Sequence, residues 1–101
     1  MTFSLQLRNE AAADIDEAAA WYQARSPRAA ADFLHAVRQT LGAIEESPTR
    51  FPVARADVRR AKVRRFPYAV FYYIDADVVV GIACMHYRRD PRRWFVRRQQ
   101  A

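Results

Sequence analysis

The sequence predicts an α+β domain of order β-α-α-β-β-β. A helical hairpin packs on one face of a mostly antiparallel four-stranded sheet, and the chain ends in a short C-terminal tail or helix. Three observations carry this reading. Phe3, Leu5 and Leu7 alternate with polar residues, as in a half-buried strand. Between Glu10 and Ser47 the apolar residues recur at spacings of three and four, but the pattern restarts at Ser26-Pro27, which makes two helices. From Tyr68 to Met85 two β-prone runs flank Asp75-Ala76-Asp77. Helices and strands segregated in this way belong to the α+β class.

In chain order, Thr2 to Arg8 is the first strand. Asn9 is placed to cap the next helix, with Glu10 in its first turn. Glu10 to Arg25 is Ala-rich and strongly helix-forming; Ile15, Ala18, Ala19 and Tyr22 form its apolar stripe, and Asp14, Asp16 and Glu17 face outward. Ser26 caps a second helix with Pro27 at its first position, and Phe33, Leu34, Val37, Leu41 and Ile44 give it an apolar face of about five turns. Trp21 and Tyr22 are read as packing within this hairpin. Ser47-Pro48 ends it, and Phe51-Pro52 opens a loop. Val58 to Arg65 reads as a charged edge strand, since charge discourages unwanted pairing at an edge. Pro67 separates it from the next strand. Near the end, Trp94, Phe95 and Val96 dock on the sheet while Arg92, Arg93, Arg97 and Arg98 stay solvated.

At 101 residues the chain is one domain spanning positions 1–101. A chain of this size buries roughly 60–65% of its unfolded surface, enough for one core. Thirteen aromatic residues argue against disorder. The single Cys84 excludes an internal disulfide framework, and no zinc-ligand spacing exists, which favours an intracellular compartment. No apolar run reaches membrane-spanning length, so a cytoplasmic protein without membrane contact is expected. Charge is segregated along the chain. Up to Pro48 there are four Arg against seven acids; from Thr49 onward there are thirteen Lys or Arg against four. Twelve of those thirteen are arginines, the side chain that grips phosphates and carboxylates with paired hydrogen bonds. The basic half points to a polyanion or an acidic protein as partner; its plainer reading is a solvated surface.

The hairpin gives that charge a location. Antiparallel pairing of Tyr68–Ile74 with Val78–Met85 brings Lys62, Arg64 and Arg65 towards His86, Tyr87, Arg88 and Arg89 at one end of the sheet. Alternation allows only one of His86 and Tyr87 to face that site: His86 runs with Cys84, Ile82 and Val80, Tyr87 with Met85 and Ala83. Tyr68, Tyr72 and Tyr73 read as sheet-face aromatics, and Asp75 and Asp77 as turn residues with no case for a metal.

WYxxRSPxAAADFLxAVxxxLxxIxxxP (Trp21–Pro48), FPV (Phe51–Val53), VRRFPYAVFYYID (Val63–Asp75) and HYRRDPRRW (His86–Trp94) resemble the RelE/ParE superfamily of bacterial toxins. The resemblance covers nearly the whole chain in order. It implies the same β-α-α-β-β-β fold, a role in plasmid stabilisation or growth arrest, and a cognate acidic antitoxin whose extended segment wraps the toxin in a hetero-oligomer; separately, no nucleotide, metal or redox site is visible in the sequence, so no cofactor is expected. It also implies one of two targets: the ribosome and its mRNA for RelE-like endonucleases, or DNA gyrase for ParE-like inhibitors.

Cleavage of RNA by its own 2′-oxygen needs a proton acceptor, a proton donor and cations around the phosphorane. The resemblance would assign Arg65 with Arg88 or Arg89 to the phosphate, and His86 or Tyr87 to proton transfer. Lys62 and Arg64 complete the target- or phosphate-binding set. The chain departs from the RelE-like pattern in two places: Lys62 is the only lysine before Phe66, and no Tyr or His follows Trp94. The long helical segment is ParE-like. Gyrase inhibition is therefore the expected activity, with mRNA cleavage as the alternative, and a non-toxic member that only binds antitoxin or operator DNA as a third reading.

Overall fold

The computed structural model describes residues 2–100. Its elements run β1 (Ser4–Leu7), α1 (Asn9–Gln23), α2 (Pro27–Glu46), β2 (Val53–Arg55), β3 (Val58–Lys62), β4 (Tyr68–Asp75), β5 (Val78–His86) and α3 (Arg92–Gln99). The α+β class and the helical hairpin are as expected. The sheet has five strands in the order β1-β5-β4-β3-β2, and every pairing is antiparallel except β1 with β5.

Three local expectations change. Val53–Arg55, read as loop, pairs with β3, so β3 is an interior strand and the short β2 takes the edge. Asn9 is the first helical residue of α1 and makes no cap; Arg8 holds the cap position without a side-chain bond. Asp75 pairs with Val78, leaving a two-residue connection in which Ala76 is left-handed at φ 54°. The C-terminal segment, expected as a tail or a helix, is a helix. By contrast, Ser26 caps α2 as its type suggests, accepting from the Ala29 N–H at 3.2 Å.

Each face of the sheet carries its own core. The first receives α1 and α2: Ile15, Ala18, Phe33, Val37 and Ile44 meet Ala61, Val70, Tyr72, Val79 and Cys84, with Phe3 and, on β1, Leu5 and Leu7 beside them. The second receives α3, whose Trp94 stacks on Phe71 with ring centroids 4.5 Å apart, among Val58, Ala69, Ile82 and Met85. A register shift lies between Phe71/Ala83 and Tyr72/Gly81, so Ile82 is the extra residue of a bulge. It turns Ile82 and Val80 to the second face together with Ala83 and Met85, whereas simple alternation had grouped them with His86. Gly81 lies beside this irregularity, where a Cβ would stand 2.5 Å from Leu7 Cδ2 and would make that side chain shift.

Candidate functional site

Beyond Lys62 and His86 the ladders run on for one more bond each. The Val63 N–H donates to the Tyr68 carbonyl at 2.8 Å, and the Tyr87 N–H to the Pro67 carbonyl at 3.1 Å. Lys62 and Tyr87, on the two flanks of β4, therefore project from the second face at the same level. Lys62 Nζ lies 4.8 Å from the Tyr87 ring centroid, and the Arg88 guanidinium carbon 5.8 Å from it. Each such contact contributes about 0.5–1 kcal/mol when exposed. Two cations around a phenol form the most concentrated cation–aromatic cluster among the predicted site residues.

His86 turns towards the groove beside α1, although its ring stays 5.2 Å from that of Tyr87. Its ring lies 6.3 Å from that of Tyr68 on the α1 side, and its Nδ1 accepts from the Arg88 N–H at 3.1 Å. In its neutral form that bond leaves the proton on Nε2. Beside it a groove of about 620 Å³ runs between α1 and α3, lined by Glu17, Trp21, Tyr68, His86, Arg89 and Arg93 among others. Burial, reinforced by Cys84, pushes the Tyr68 phenol above its ordinary range. The Cys84 thiol is pushed up to about 12 by burial and by Asp14, so it stays neutral and unreactive.

The floor of the groove is a strand edge. β1 covers β5 only as far as Gly81. Past that point the Cys84 N–H donates to Asp14 Oδ2 at 3.0 Å, and the Ile82 carbonyl accepts from Arg97 Nη1 at 3.0 Å. Arg97 and Asp14 are themselves paired at 2.6 Å and 3.2 Å. Antiparallel alternation aims the His86 N–H outward along with that of Cys84. This corrects two expectations: Asp14 and Arg97 are not solvated but form a shielded clamp, their side chains only 14% and 19% exposed. Arg98 is also engaged, with Asp57 at 2.9 Å and over the Tyr73 ring at 3.8 Å.

Arg64 and Arg65 occupy a third place. They are the central residues of a turn closed by the Phe66 N–H on the Val63 carbonyl at 3.2 Å. With Phe66 they face α2 across a depression of about 440 Å³ that also takes in Arg28, Asp32 and His35. The predicted convergent set is thus distributed: Lys62, Tyr87 and Arg88 on the second face, His86 and Arg89 in the groove, Arg64 and Arg65 against α2. Strand alternation and the turn before β4 cause the division. Trp21, read as hairpin packing, is 51% exposed at the groove rim with Arg25 stacked 3.6 Å from its ring centroid, while Tyr22 does pack inward on Phe33 and Phe66. Val96, expected to dock, is also largely exposed. The part of Asp14 was unreadable because an acid on an Ala-rich helix looks solvated. Only its distance-independent partner, a β5 edge left open by a short β1, could have revealed it. Among the described residues no three His, Cys, Asp or Glu side chains gather into a metal site, and no helix is long and apolar enough to cross a membrane.

This arrangement, two helices on a sheet whose last long strand pairs with the first, agrees with a family model described as ParE toxin of type II toxin-antitoxin system, parDE, over residues 5–91. The chain belongs to that family. Solved structures carry the same fold. A chain of the chromosomal ParDE toxin–antitoxin system from P. aeruginosa superposes with a TM-score of 0.75 at 17% identity, covering 84% of this chain and 96% of that one. A chain of the RelBE2 toxin–antitoxin complex from Mycobacterium tuberculosis superposes with a TM-score of 0.60 at 24% identity, covering 85% and 99%. Curated proteins give no match. The family match stops at Asp90-Pro91, so α3 and its contacts lie beyond it.

Proposed function

We propose that this ParE-family toxin acts by protein contact on DNA gyrase and is neutralised by a cognate acidic antitoxin. The observation that supports the target is that Tyr87 stands with two cations while His86, its ring 5.2 Å away, has Nδ1 taken by the Arg88 N–H and lines the groove instead. General acid–base cleavage needs two positioned proton carriers. The Lys62–Tyr87–Arg88 cluster offers one phenol and two cations, which suits recognition of an acidic surface better than a two-proton reaction. The antitoxin reading draws on the groove: a cleft beside the Asp14–Arg97 clamp, walled by Arg89, Arg93 and the exposed Trp21, fits an extended, acidic segment that orders on binding.

The same cluster also gives the endonuclease reading its support, since cations beside a phenol can hold a phosphate next to a proton donor. One experiment separates them. Purified protein should block gyrase-catalysed supercoiling and trap cleaved DNA, while translating ribosomes keep their mRNA intact. His86→Gln should leave growth arrest unchanged. Codon-specific mRNA cuts that fall by roughly 10²–10⁴-fold in Tyr87→Phe would establish the endonuclease instead. Expression alone should arrest growth, and co-expression of the acidic partner should restore it.

A further inference from the structure

Edge protection does not explain the charge on β3, because β2 takes the edge of the sheet. Directly opposite residues of paired strands share a face, so the register shows where each cation stands. Arg55 pairs with Val58, Arg60 with Phe71 and Lys62 with Ala69, and all three partners belong to the second core. Arg55, Arg60 and Lys62 therefore form a row on the second face, in which Arg55 and Lys62 are exposed and Arg60 is half-buried. At a rise of about 3.3 Å per residue, the row from Val58, opposite Arg55, to Lys62 is about 13 Å long.

Arg59, opposite Tyr72 on the first face, is taken up by the fold: its Nη1 donates to the Thr49 and Phe51 carbonyls at 3.1 Å and 2.6 Å. The row on the second face is not taken up in this way. None of its three side chains makes a hydrogen bond or ion pair among the described residues, and Asp57, the carboxylate beside it, already holds Arg98 at 2.9 Å. Arg55 and Lys62 are held over rings instead, 4.4 Å from the Phe95 centroid and 4.8 Å from that of Tyr87. Both ends of the row are thus steadied, and Arg60 stands between them with its charge unspent. Like charges this close repel one another in the free protein, and an acidic partner relieves that repulsion on binding.

We infer that this row extends the Tyr87 cluster into a docking surface for an acidic face of a folded protein, with Arg60 as a specificity-determining residue. The inference rests on the reading that the toxin acts by protein contact, and it adds Arg55 and Arg60 to the surface that makes the contact. Charge complementarity sets the sign of the partner. Shape sets its kind: Arg55 and Arg60 lie outside both the β5 groove and the α2 depression, so a small anion or a lone extended segment finds no walls around them. A single nucleic-acid strand stacks its bases on open rings, whereas Tyr87 and Phe95 already carry cations over theirs. The row runs along β2 and β3, apart from the groove beside β5 that suits the antitoxin.

The test passes the full chain over immobilised gyrase without DNA, and measures inhibition of supercoiling with the same proteins. Arg60→Ala should weaken binding by about tenfold and raise the half-inhibiting concentration to match, at an unchanged melting temperature. Arg60→Lys keeps the charge and should stay within about threefold of the parent. Arg38→Ala removes an exposed charge from α2 and should stay within about twofold. If the parent inhibits gyrase but Arg60→Ala does so equally well, the inference fails and the target reading stands. An equal loss in Arg38→Ala would mark diffuse attraction, and an equal loss in Arg60→Lys with a lowered melting temperature would make Arg60 structural; either overturns the inference. So would a loss in Arg60→Ala confined to the co-expressed antitoxin or to a single-stranded RNA oligonucleotide, which would give the row to that partner. A parent that neither binds nor inhibits gyrase would overturn the target reading and this inference with it.

Discussion

The two faces of the sheet are closed by very different amounts of helix. The first carries α1 and α2, of 15 and 20 residues; the second carries α3, of 8. On the first face Phe33, fully buried, meets Tyr22, Phe66 and Tyr68 at ring distances of 5.2–5.3 Å. On the second, Trp94 and Phe71 do similar work in the middle while Lys62, Tyr87 and Arg88 remain at the rim. The helical hairpin therefore carries stability, and the half-covered face is left free to present charge. Polar contacts add to the Trp94 anchor in holding α3 in place. Arg8 donates to the Arg97 carbonyl and to the Tyr73 hydroxyl, each at 2.7 Å, and Arg97 clamps Asp14.

This contrast is open to breaking by substitution. Phe33→Ala should have the largest effect, about 3–5 kcal/mol, because three rings lose their common partner in a dense core. Urea denaturation should show one cooperative transition at much lower midpoint. Trp94→Ala should cost less, about 2–3 kcal/mol, because α3 can detach without opening the hairpin. Hydrogen exchange should then speed up in α3 and leave α2 protected. Equal losses of protection in both would mean that the two faces form one unit.

Tyr72→Phe gives the smallest and sharpest test. The Tyr72 hydroxyl donates to the Pro48 carbonyl at 2.7 Å from a fully buried ring, and removing it should cost about 1 kcal/mol at neutral pH. Burial pushes this phenol up to about 12, against smaller opposing pulls from Arg59 and Arg50. Its folded pKa is thus above its unfolded value near 10. The associated stability is full below pH 10 and is lost as pH rises from 10 towards 12. Cys84 acts in the same direction from its ordinary value near 9. Tyr72→Phe should flatten the loss of stability between pH 10 and 12, leaving the Cys84 part. An unchanged alkaline profile would show that the phenol is not desolvated.

Much of the first face was legible in the sequence because its signals are local and periodic. The stripe from Phe33 to Ile44, the Ser26-Pro27 restart and the alternation of Phe3, Leu5 and Leu7 all report directly on burial. The candidate site was less legible. A single bulge at Ile82 rewrites which residues share a face, and no composition signal marks it apart from Gly81. Asp14, Arg97 and Arg8 gain their parts from strand edges and a helix end that come together only in three dimensions. Arg65 looked like one more cation of a charged run; its φ of 73° sets it apart.

The pairing of β1 with β5 has a consequence in time. Ser4 lies against Val78 and Leu7 against Gly81, so β1 finds its only sheet partner in a strand that the ribosome makes last among the strands. Such sequence-distant closure is slow to form and late. At about 5–20 residues per second, several seconds separate the synthesis of the two segments. Until then α1 and α2 have only the β3–β4 part of their floor, and a nascent chain stalled before Val78 holds neither the groove nor the Tyr87 cluster. Synthesis itself thus acts as a delay line: the protein becomes competent to meet a partner or a target only once translation has passed His86.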